Sequence, residues 1–220
     1  MPHGYTNRTM RNGPVVTKTY QGPEAACRSA REAAVLSALA GRLPVPEVID
    51  IGSGRLQLTL MDGVPGQDLI DAGQAEPVLR ACGRMLRRLQ AIGPALAHVE
   101  GHGPPPAVLV HGDYGPNNVV LDPAARQITA IVDWEWAHAG HPVEDLAWCE
   151  WIVRMHHPAD VGALGALFDG YGSAPAWSAR QQAMLAQCRV QLDLSERWQP
   201  GGENVRRWQQ RLAITQAWAE

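Results

Sequence analysis

The sequence lacks both a long apolar run and a cluster of basic residues. No stretch approaches the roughly 20 apolar residues that a membrane-spanning helix needs, so we expect no membrane partner. The 19 basic and 22 acidic residues give a formal net charge of -3 and form no polybasic run. Because nucleic-acid binding depends on concentrated positive charge, we also expect no nucleic-acid partner.

Cysteine is scarce, and no two cysteines are spaced as a metal-binding or redox pair. The four cysteines, Cys27, Cys82, Cys149 and Cys188, lie far apart in the sequence. This spacing excludes a zinc-ribbon pattern and gives no disulfide framework. The first five residues also lack the charged and apolar regions of a secretory signal. We therefore expect reduced thiols and a cytoplasmic protein.

The order of predicted elements divides the chain into a sheet-rich part and a helix-rich part. With 45% apolar and 19% charged residues, 220 residues suffice for one large domain or two small lobes. Along the chain we expect a polar loop first, then strands and helices, and finally a helical C-terminal part. We predict a loop over 4–11, strands over 14–20, 48–52 and 56–61, a helix over 24–40, a helix over 75–92, strands over 108–113 and 128–133, and several helices over 143–220.

Three oxygen-bearing side chains follow strand-like runs in the middle of the chain. Asp113 follows one β-branched run, Asn118 comes five residues later, and Asp133 ends the next run. A carboxylate at Asp113 can align a substrate hydroxyl for attack, and Asn118 and Asp133 carry the oxygen donors that Mg²⁺ accepts. Phosphoryl transfer requires this combination, so the spacing predicts a phosphoryl-transfer site. The alternative for the first motif is an ordinary Asx-rich turn.

Lys18 is the only lysine in the chain, and it lies within a predicted strand. In that position its ammonium group can reach the phosphates of a nucleotide. Glu32, in the following predicted helix, can hold Lys18 extended through an ion pair. The alternative is a strand lysine that reaches water and a solvated glutamate. The order of both residues relative to Asp113 favours the nucleotide site.

Histidines near these motifs leave a second kind of site open. His111, Asp113, Asp133, His138 and His141 could form a His/Asp metal centre of a hydrolase. The alternative is that His111 packs beneath the loop and bonds to its backbone. His138 and His141 then belong to a turn, because glycine, alanine and proline surround them.

The helical part offers candidates for substrate binding and for support of the site. Glu150, Asp193 and Glu196 could contact a cationic substrate, although each could equally be a solvated helix residue. Asp145, at the start of a helix, is expected to cap it or to brace the loop around Asp113. Most of the tryptophans are expected in the core, and one or two could line an amphipathic substrate cleft.

Together these motifs resemble the aminoglycoside phosphotransferase and choline kinase family. The resemblance rests on the segments His111-Gly112-Asp113 through Asn118, Asp133-Trp134-Glu135, Pro142 to Ala147, Gly4 to Thr9, Lys18, Arg31 to Leu36, Pro44-Val45-Pro46 and Leu60 to Gly66. It implies an α+β, bilobal, protein-kinase-like fold. The implied parts are a small antiparallel-sheet lobe with one helix over 1–61, a hinge over 62–66 and a mainly helical lobe over 67–220. Because the chain starts almost at the loop of Gly4 to Thr9, we expect the first strand of such lobes to be short or absent.

The resemblance also implies a role for each matching residue. It implies that Asp113 is the catalytic base and that Asn118 and Asp133 are the magnesium ligands. Lys18 would bind the phosphates with Glu32 as its ion-pair partner. Thr6 and Asn7 would lie in the nucleotide-positioning loop, and the backbone of Asp62 and Val64 would hydrogen-bond the purine.

The expected activity is Mg²⁺-dependent transfer of the γ-phosphoryl group of ATP or GTP to a hydroxyl of an antibiotic-like or metabolite substrate. Three alternatives remain: a degenerate kinase that only binds, the metal-dependent hydrolase described above, and a protein kinase. The last is disfavoured because the catalytic loop after Asp113 has no lysine. The sequence does not determine the acceptor, the choice between ATP and GTP, or the oligomeric state.

Overall fold

A computed structural model describes residues 7–94 and 107–220. The elements of its first lobe are β1 (Asn7–Asn12), β2 (Val15–Tyr20), α1 (Ala25–Leu39), β3 (Val48–Gly52) and β4 (Arg55–Thr59). The strands form an antiparallel sheet in the order β1-β2-β4-β3, and α1 packs against it.

The prediction of a loop over 4–11 is wrong for residues 7–11, which belong to β1. This strand pairs with β2 in the register Thr9 to Lys18, and the turn between them contains Gly13 at φ 61°. All but the first residue of β1 are exposed, because it is the edge strand of the sheet. An exposed polar edge strand carries no apolar alternation, so its sequence resembles that of a loop. Residues 4–6 lie outside the described part of the chain.

Helix α1 positions Glu32 on the face that covers the sheet. Val35, Leu36 and Leu39 are fully buried, and Glu32 lies one turn earlier on the same side. The spacing of these residues is helical, as expected over 24–40. Burial of the apolar side chains anchors the helix, so the Glu32 carboxylate is directed toward β2 rather than to solvent.

The second lobe is mainly helical and contains several short strands. Helix α3 packs on α5, and α4, α6 and α7 pack together around a second apolar cluster that includes Trp148, Trp151 and Met184. Its elements are β5 (Val64–Pro65), α2 (Gly66–Asp71), α3 (Ala75–Gln90), β6 (Val108–Val110), β7 (Val119–Leu121), β8 (Ile128–Ile131), β9 (His138–Gly140), α4 (Val143–His156), α5 (Leu164–Tyr171), α6 (Trp177–Trp198) and α7 (Glu203–Ala217).

The segment that joins the lobes is tied to the second lobe soon after β4. Gly63 has φ 137°, and a Cβ atom there would lie 2.5 Å from the carbonyl oxygen of Leu121. Only glycine therefore fits this close approach. Directly after it, β5 pairs with β7, and α2 begins at Gly66. The hinge predicted over 62–66 stays a prediction, with these contacts inside it.

A second connection between the lobes lies at the C-terminal end of α6. Arg197 Nη1 is 2.6 Å from Glu24 Oε1, just before α1. The ring of Trp198 covers Gly22 so closely that a Cβ atom on Gly22 would lie 2.5 Å from it. Helix α6 therefore contacts the small lobe at its tip, in addition to the covalent connection.

The structure also gives the state of the cysteines and the character of the helices. Cys27 is exposed, Cys82, Cys149 and Cys188 are buried, and all four are free thiols. Within 7–94 and 107–220, every helix is too short or too polar to cross a membrane.

Candidate active site

The loop that carries Asp113 is fixed by a carboxylate from the start of α4. Asp145 accepts hydrogen bonds from the backbone N–H groups of His111 (2.7 Å) and Gly112 (3.0 Å). Burial raises the pKa of Asp145 to about 6, and these two hydrogen bonds oppose that rise. Gln187, from α6, donates to the carbonyl oxygen of Gly112 at 2.8 Å. The predicted bracing role of Asp145 is confirmed.

His111 lies beneath this loop as a neutral ring. Its Nδ1 accepts from the backbone N–H of Asp113 at 3.2 Å, so the proton is on Nε2, which donates to the carbonyl of Val132 at 2.9 Å. The ring packs on Trp134 with the centroids 4.6 Å apart. Burial lowers the pKa of His111 to about 4. The prediction that His111 packs under the loop and bonds to its backbone is confirmed.

The carboxylate of Asp113 is held by a different donor at each oxygen. Trp148 Nε1 donates to Oδ1 at 2.7 Å, and Asn118 Nδ2 donates to Oδ2 at 2.8 Å. Burial raises the pKa of Asp113 to about 7, although both hydrogen bonds favour the ionised form. A carboxyl group with a pKa near neutrality can accept a proton during a reaction. No local sequence pattern connects Trp148 with Asp113, because the two residues are 35 positions apart.

Asn118 and Asp133 present oxygen atoms of the kind that suit Mg²⁺. The amide nitrogen of Asn118 is used by Asp113, and no described residue donates to its Oδ1. Asp133 has φ 70°, an uncommon backbone conformation for a non-glycine residue and one often found at functional sites. Burial raises the pKa of Asp133, but Lys18 outweighs it and the pKa is lowered, so the carboxylate is ionised. One amide oxygen and one carboxylate fit the ligand preference of magnesium.

Lys18 joins the two lobes at this point. Its Nζ lies 2.5 Å from Glu32 Oε2 in the small lobe and 2.6 Å from Asp133 Oδ1 in the large lobe. Burial alone would lower the pKa of Lys18, but Asp133 and Glu32 raise it, so the ammonium stays charged. The hydroxyl of Tyr20 also donates to Glu32. The structure thus forms the ion pair that the sequence suggested, and Tyr20 is an additional partner.

A cleft of about 220 Å³ lies between the lobes, and the charged residues of its lining are grouped together, because Lys18 bonds to both Glu32 and Asp133. Lys18, Glu32, Asn118 and Asp133 line this interlobe cleft. The remaining described lining residues are mostly apolar and include Val16, Leu58, Leu60, Met61, Val120 and Val132. A flat apolar group with a charged tail fits this division of the cleft.

The described lining of the cleft includes the residues just before the segment that is expected to contact a purine. Asp62 and Val64 are not among the described residues that line it; Thr59, Leu60 and Met61 are. The carbonyl of Asp62 accepts from Thr129 Oγ1 at 2.9 Å, and Val64 pairs with Leu121. The purine contacts expected of the Asp62 and Val64 backbone stay a prediction, and Thr59, Leu60 and Met61 are the neighbouring residues that line the cleft.

Asn7, which was expected in an open loop, lies at the N-terminal end of β1 and contacts the segment after Asp133. Asn7 Nδ2 donates to Glu135 Oε1 at 2.7 Å. Thr6, the other residue expected in the nucleotide-positioning loop, lies outside the described residues. The role expected of Asn7 at a nucleotide stays a prediction, and its contact links β1 to the segment after Asp133.

Glu135 and Arg28 form a buried ion pair that the sequence analysis did not identify. Arg28 Nη1 is 2.6 Å from Glu135 Oε2, and both side chains are buried. Burial raises the pKa of Glu135 to about 7, although Lys18 and Arg28 oppose this rise. The pair fixes α1 against the segment that carries Asp133. Its sequence signal was the position of Glu135 two residues after the aspartate.

The candidate substrate contacts on the later helices do not gather at the cleft. Glu150 is fully buried and bonded to Arg154 (2.9 Å) and Arg180 (2.6 Å). We therefore correct its predicted role, because both of its oxygens serve the internal packing of α4 and α6. Asp193 is exposed, and Glu196 accepts from the backbone N–H of Gly201 at 3.2 Å.

The histidines proposed for a metal centre are committed to other partners. His138 donates from Nε2 to Glu144 and from Nδ1 to the carbonyl of Trp136, both at 2.9 Å. His141 Nδ1 accepts from the backbone N–H of Val143. Across the described chain, no three His, Cys, Asp or Glu side chains are grouped closely enough to hold a metal ion. The hydrolase centre is therefore not assembled.

Comparison with known proteins places this arrangement in a family. A family model described as "Phosphotransferase enzyme family" matches residues 2–105 and 93–183. The macrolide 2'-phosphotransferase MphH from Brachybacterium faecium is similar in structure, with TM-score 0.65, 20% identity and coverage of 99% of this chain and 94% of that chain. The GDP and kanamycin complex of APH(2")-IIia gives TM-score 0.76 at 14% identity, covering 99% and 92% of the two chains.

Curated relatives match over a shorter region. Acyl-CoA dehydrogenase family member 11 from Gallus gallus is 31% identical over 65 residues, which are 30% of this chain and 8% of the relative. The matched segment is thus a small part of a much longer protein. The family model spans well over half of the chain, and the structural neighbours share its kinase-like fold. On this evidence the chain belongs to the phosphotransferase enzyme family.

Proposed function

We propose that this protein is a small-molecule kinase that transfers the γ-phosphoryl group of ATP or GTP to an alcohol. One observation carries this proposal: Lys18, Asn118 and Asp133 line one cleft, and Asn118 connects that cleft to the carboxylate of Asp113. Phosphoryl transfer needs a cation for the phosphates, oxygen ligands for magnesium and an aligned acceptor, and this arrangement supplies all three.

Each residue has a defined task in this proposal. The purine base of the nucleotide lies against the apolar residues of the cleft, such as Leu60 and Met61, and its phosphates extend toward Lys18. Asn118 and Asp133 hold magnesium, which when bound offsets the charge of the phosphates. Asp113 accepts the hydroxyl proton of the acceptor, and Trp148 and Asn118 keep its carboxylate in one orientation.

The phosphoryl donor and the cellular location of the protein are also part of this proposal. A similar structure contains GDP and kanamycin, which supports a nucleotide donor and a hydroxylated acceptor. Four free cysteines support a reducing, cytoplasmic setting. The proposal keeps the predicted division into a lobe over 1–61, a hinge over 62–66 and a lobe over 67–220. It also keeps an antibiotic-like compound or a metabolite as the acceptor.

A thermal-shift titration with nucleotide and metal tests the proposal. Mg·ATP or Mg·GTP should raise the melting temperature, and EDTA should remove most of the increase, because only the folded state binds. Asp133→Asn should weaken the magnesium-dependent part of the shift. Asp169→Asn is the control, because Asp169 lies on the surface and pairs with Arg80. An equal shift for Asp133→Asn and the wild type at every magnesium concentration would contradict the metal role of Asp133.

A further inference from the structure

Three tryptophan rings connect the carboxylate of Asp113 to helix α7. Trp148 and Trp151 lie three residues apart on α4, so their rings share one face of that helix. The two rings stack with their centroids 4.3 Å apart and an interplanar angle of 6°. Trp208, on α7, stacks against both, with its centroid 5.6 Å from that of Trp151 and 6.3 Å from that of Trp148. We call these three rings the tryptophan stack.

Helix α7 contacts the stack through one face, which carries Trp208, Arg211 and Thr215. The guanidinium carbon of Arg211 lies 4.6 Å from the ring centroid of Trp208 and 5.7 Å from that of Trp151. Thr215 is fully buried, and its hydroxyl oxygen accepts a hydrogen bond from Trp151 Nε1 at 2.8 Å. Because α7 supplies a ring, a cation and a hydroxyl to this contact, it restricts where the two rings of α4 can lie.

The stack ends at the hydrogen bond from Trp148 to Asp113. Trp148 Nε1 donates to Asp113 Oδ1 at 2.7 Å, and only 4% of Trp148 is exposed. An indole is a rigid plane with one N–H group, so the position of the ring determines the direction of this hydrogen bond. The other described side chains that donate to the carboxylate, Asn117 and Asn118, belong to the catalytic loop itself. Trp148 is thus the donor that fixes the carboxylate relative to the helical lobe.

From these contacts we propose that α7 positions the carboxylate of Asp113 through the tryptophan stack, and that Trp208 is a positioning residue for phosphoryl transfer. The inference rests on the proposed function and extends it to a helix that contributes no residue to the described lining of the interlobe cleft. A displacement of about 1 Å in a group that aligns the acceptor lowers the rate by up to about 100-fold. Loosening the stack should therefore lower kcat and leave nucleotide binding in place.

Hydrogen exchange of the indole N–H groups tests the coupling without any substrate. Trp208→Leu removes the α7 ring, and the N–H of Trp148 should then exchange at least about 10-fold faster, because its bond to Asp113 is held less firmly. Trp134, whose N–H donates to the carbonyl of Ile131 in the core, is the internal reference and should change less than about 2-fold. Two-dimensional NMR measures both rates. The signal of Trp148 is the one that is absent from the spectrum of Trp148→Phe.

Trp177→Leu is the matched control for the loss of a large ring. Trp177 packs against the same apolar cluster as Trp208, but its ring contacts are with Arg154 and Arg180. The control should lower the free energy of unfolding, as Trp208→Leu does. The exchange rate of the Trp148 N–H, taken relative to the reference, should stay within about 2-fold of the wild type.

Turnover tests the consequence for catalysis. Nucleoside diphosphate release from Mg·ATP is measured with water, kanamycin and a macrolide as acceptors, and the fastest of these is used for the variants. Trp148→Phe keeps a ring in the stack but removes the N–H, and it should lower kcat about 10-fold or more with an unchanged nucleotide-induced thermal shift. Trp208→Leu alone should lower kcat about 3-fold or more. In the Trp148→Phe background it should lower kcat less than about 2-fold, because the link to Asp113 is already absent.

The outcomes separate this inference from the proposed function. Faster exchange of the Trp148 N–H, together with a kcat loss from Trp208→Leu that disappears in the Trp148→Phe background, supports the inference. Unchanged exchange in Trp208→Leu, equal kcat losses in both backgrounds, or near-normal turnover of Trp148→Phe overturns it and leaves the kinase function in place. Absence of a nucleotide-induced thermal shift, or of release with every acceptor, overturns the proposed function instead.

Discussion

Asp113 combines burial with two hydrogen bonds, and the balance between them sets its chemistry. Burial favours the protonated form, whereas the donors Trp148 and Asn118 favour the carboxylate. A group held this way has one orientation and a pKa of about 7. Both properties suit a residue that must align a hydroxyl and accept its proton.

Replacing Asp113 should separate catalysis from nucleotide binding. Asp113→Asn keeps the size of the side chain but removes the proton acceptor and sets an amide N–H against one of the two donors. We expect kcat to fall by a factor of about 10³, within the range for loss of a general base. The thermal shift with Mg·ATP should remain. Steady-state turnover and thermal shift measured on the same preparation check this, and near-normal turnover in the folded variant would exclude the role.

His111 should make stability depend on pH in a predictable direction. Its pKa is about 4 in the folded state against an ordinary value of 6.5, because its ring is buried and the charge of Lys18 lies nearby. A lowered folded pKa contributes stability that is complete above pH 6.5 and is lost as pH falls toward 4. Across this window the loss reaches about 3 kcal/mol.

The comparison with His111→Gln isolates this contribution from those of other titrating groups. The variant has no titrating ring, so the difference in the free energy of unfolding between the wild type and the variant should change with pH. We expect the stability of the wild type minus that of the variant to decrease by up to about 3 kcal/mol between pH 7.5 and pH 4. Urea unfolding at several pH values measures it. Parallel stability curves would show that His111 is not the buried neutral group described here.

Helix α6 contacts parts of both lobes. Gln187 on this helix donates a hydrogen bond to the carbonyl oxygen of Gly112, and Arg197 and Trp198 contact the small lobe. The Arg197–Glu24 pair is exposed, and exposed pairs contribute about 0–1 kcal/mol. The contact between Trp198 and Gly22 is the stronger constraint, because it depends on steric fit.

Two glycines in the left-handed region allow that contact to be measured. Gly22 (φ 74°) lies under Trp198, whereas Gly13 (φ 61°) has no neighbouring atom within 4 Å of a Cβ position. Alanine at either position incurs backbone strain of about 1–2 kcal/mol. Gly22→Ala should cost at least ~1 kcal/mol more than Gly13→Ala, because the indole ring must move. Urea unfolding measures both costs.

Trp198→Ala provides the control for the steric part. In that background the extra cost of Gly22→Ala should disappear, and the strain common to both glycines should remain. Equal costs for the two alanine variants in the wild-type background would mean that Trp198 does not press on Gly22.

At the scale of the whole molecule, Lys18 bonds to acidic residues of both lobes. Glu32 belongs to the small lobe and Asp133 to the large lobe, and the Arg28–Glu135 pair is a second ion pair between the lobes. Removing the ammonium would leave Glu32 and Asp133 facing each other without compensation. The same residues line the interlobe cleft, so under the proposed function one set of charges contributes both to stability and to nucleotide binding.

Lys18→Met should therefore destabilise the protein and prevent turnover. Loss of one partner from a buried ion pair costs about 3–5 kcal/mol, and this is the decrease expected in urea unfolding. Arg55→Met is the control in the same sheet, because Arg55 forms an exposed pair with Asp50 at 2.8 Å. Its cost should be below about 1 kcal/mol. Similar costs for both variants would show that the Lys18 set is not effectively buried.

The local sequence identified those elements whose residues repeat with a clear period. Helix α3 was predicted over 75–92 and ends at Gln90, and the lysine strand was predicted over 14–20 and forms Val15–Tyr20. Strand β1 was missed because its residues are polar and exposed. Most of the key residues of the candidate site were found for a related reason. Lys18 lies in β2, Asp113 and Asp133 follow β6 and β8, and Asn118 directly precedes β7, so all four adjoin strands where burial restricts which residue types are allowed.

The sequence by itself determined the reaction type, because phosphate and magnesium chemistry needs particular side chains at the ends of adjacent strands. Only the tertiary structure decided that Trp148 holds Asp113, that Glu150 is internal and that Gln187 fixes Gly112. These contacts join residues 35, 30 and 75 positions apart. Such pairs depend on how α4 and α6 cross, and a helix crossing is set by side-chain packing over the whole interface, which no local pattern records.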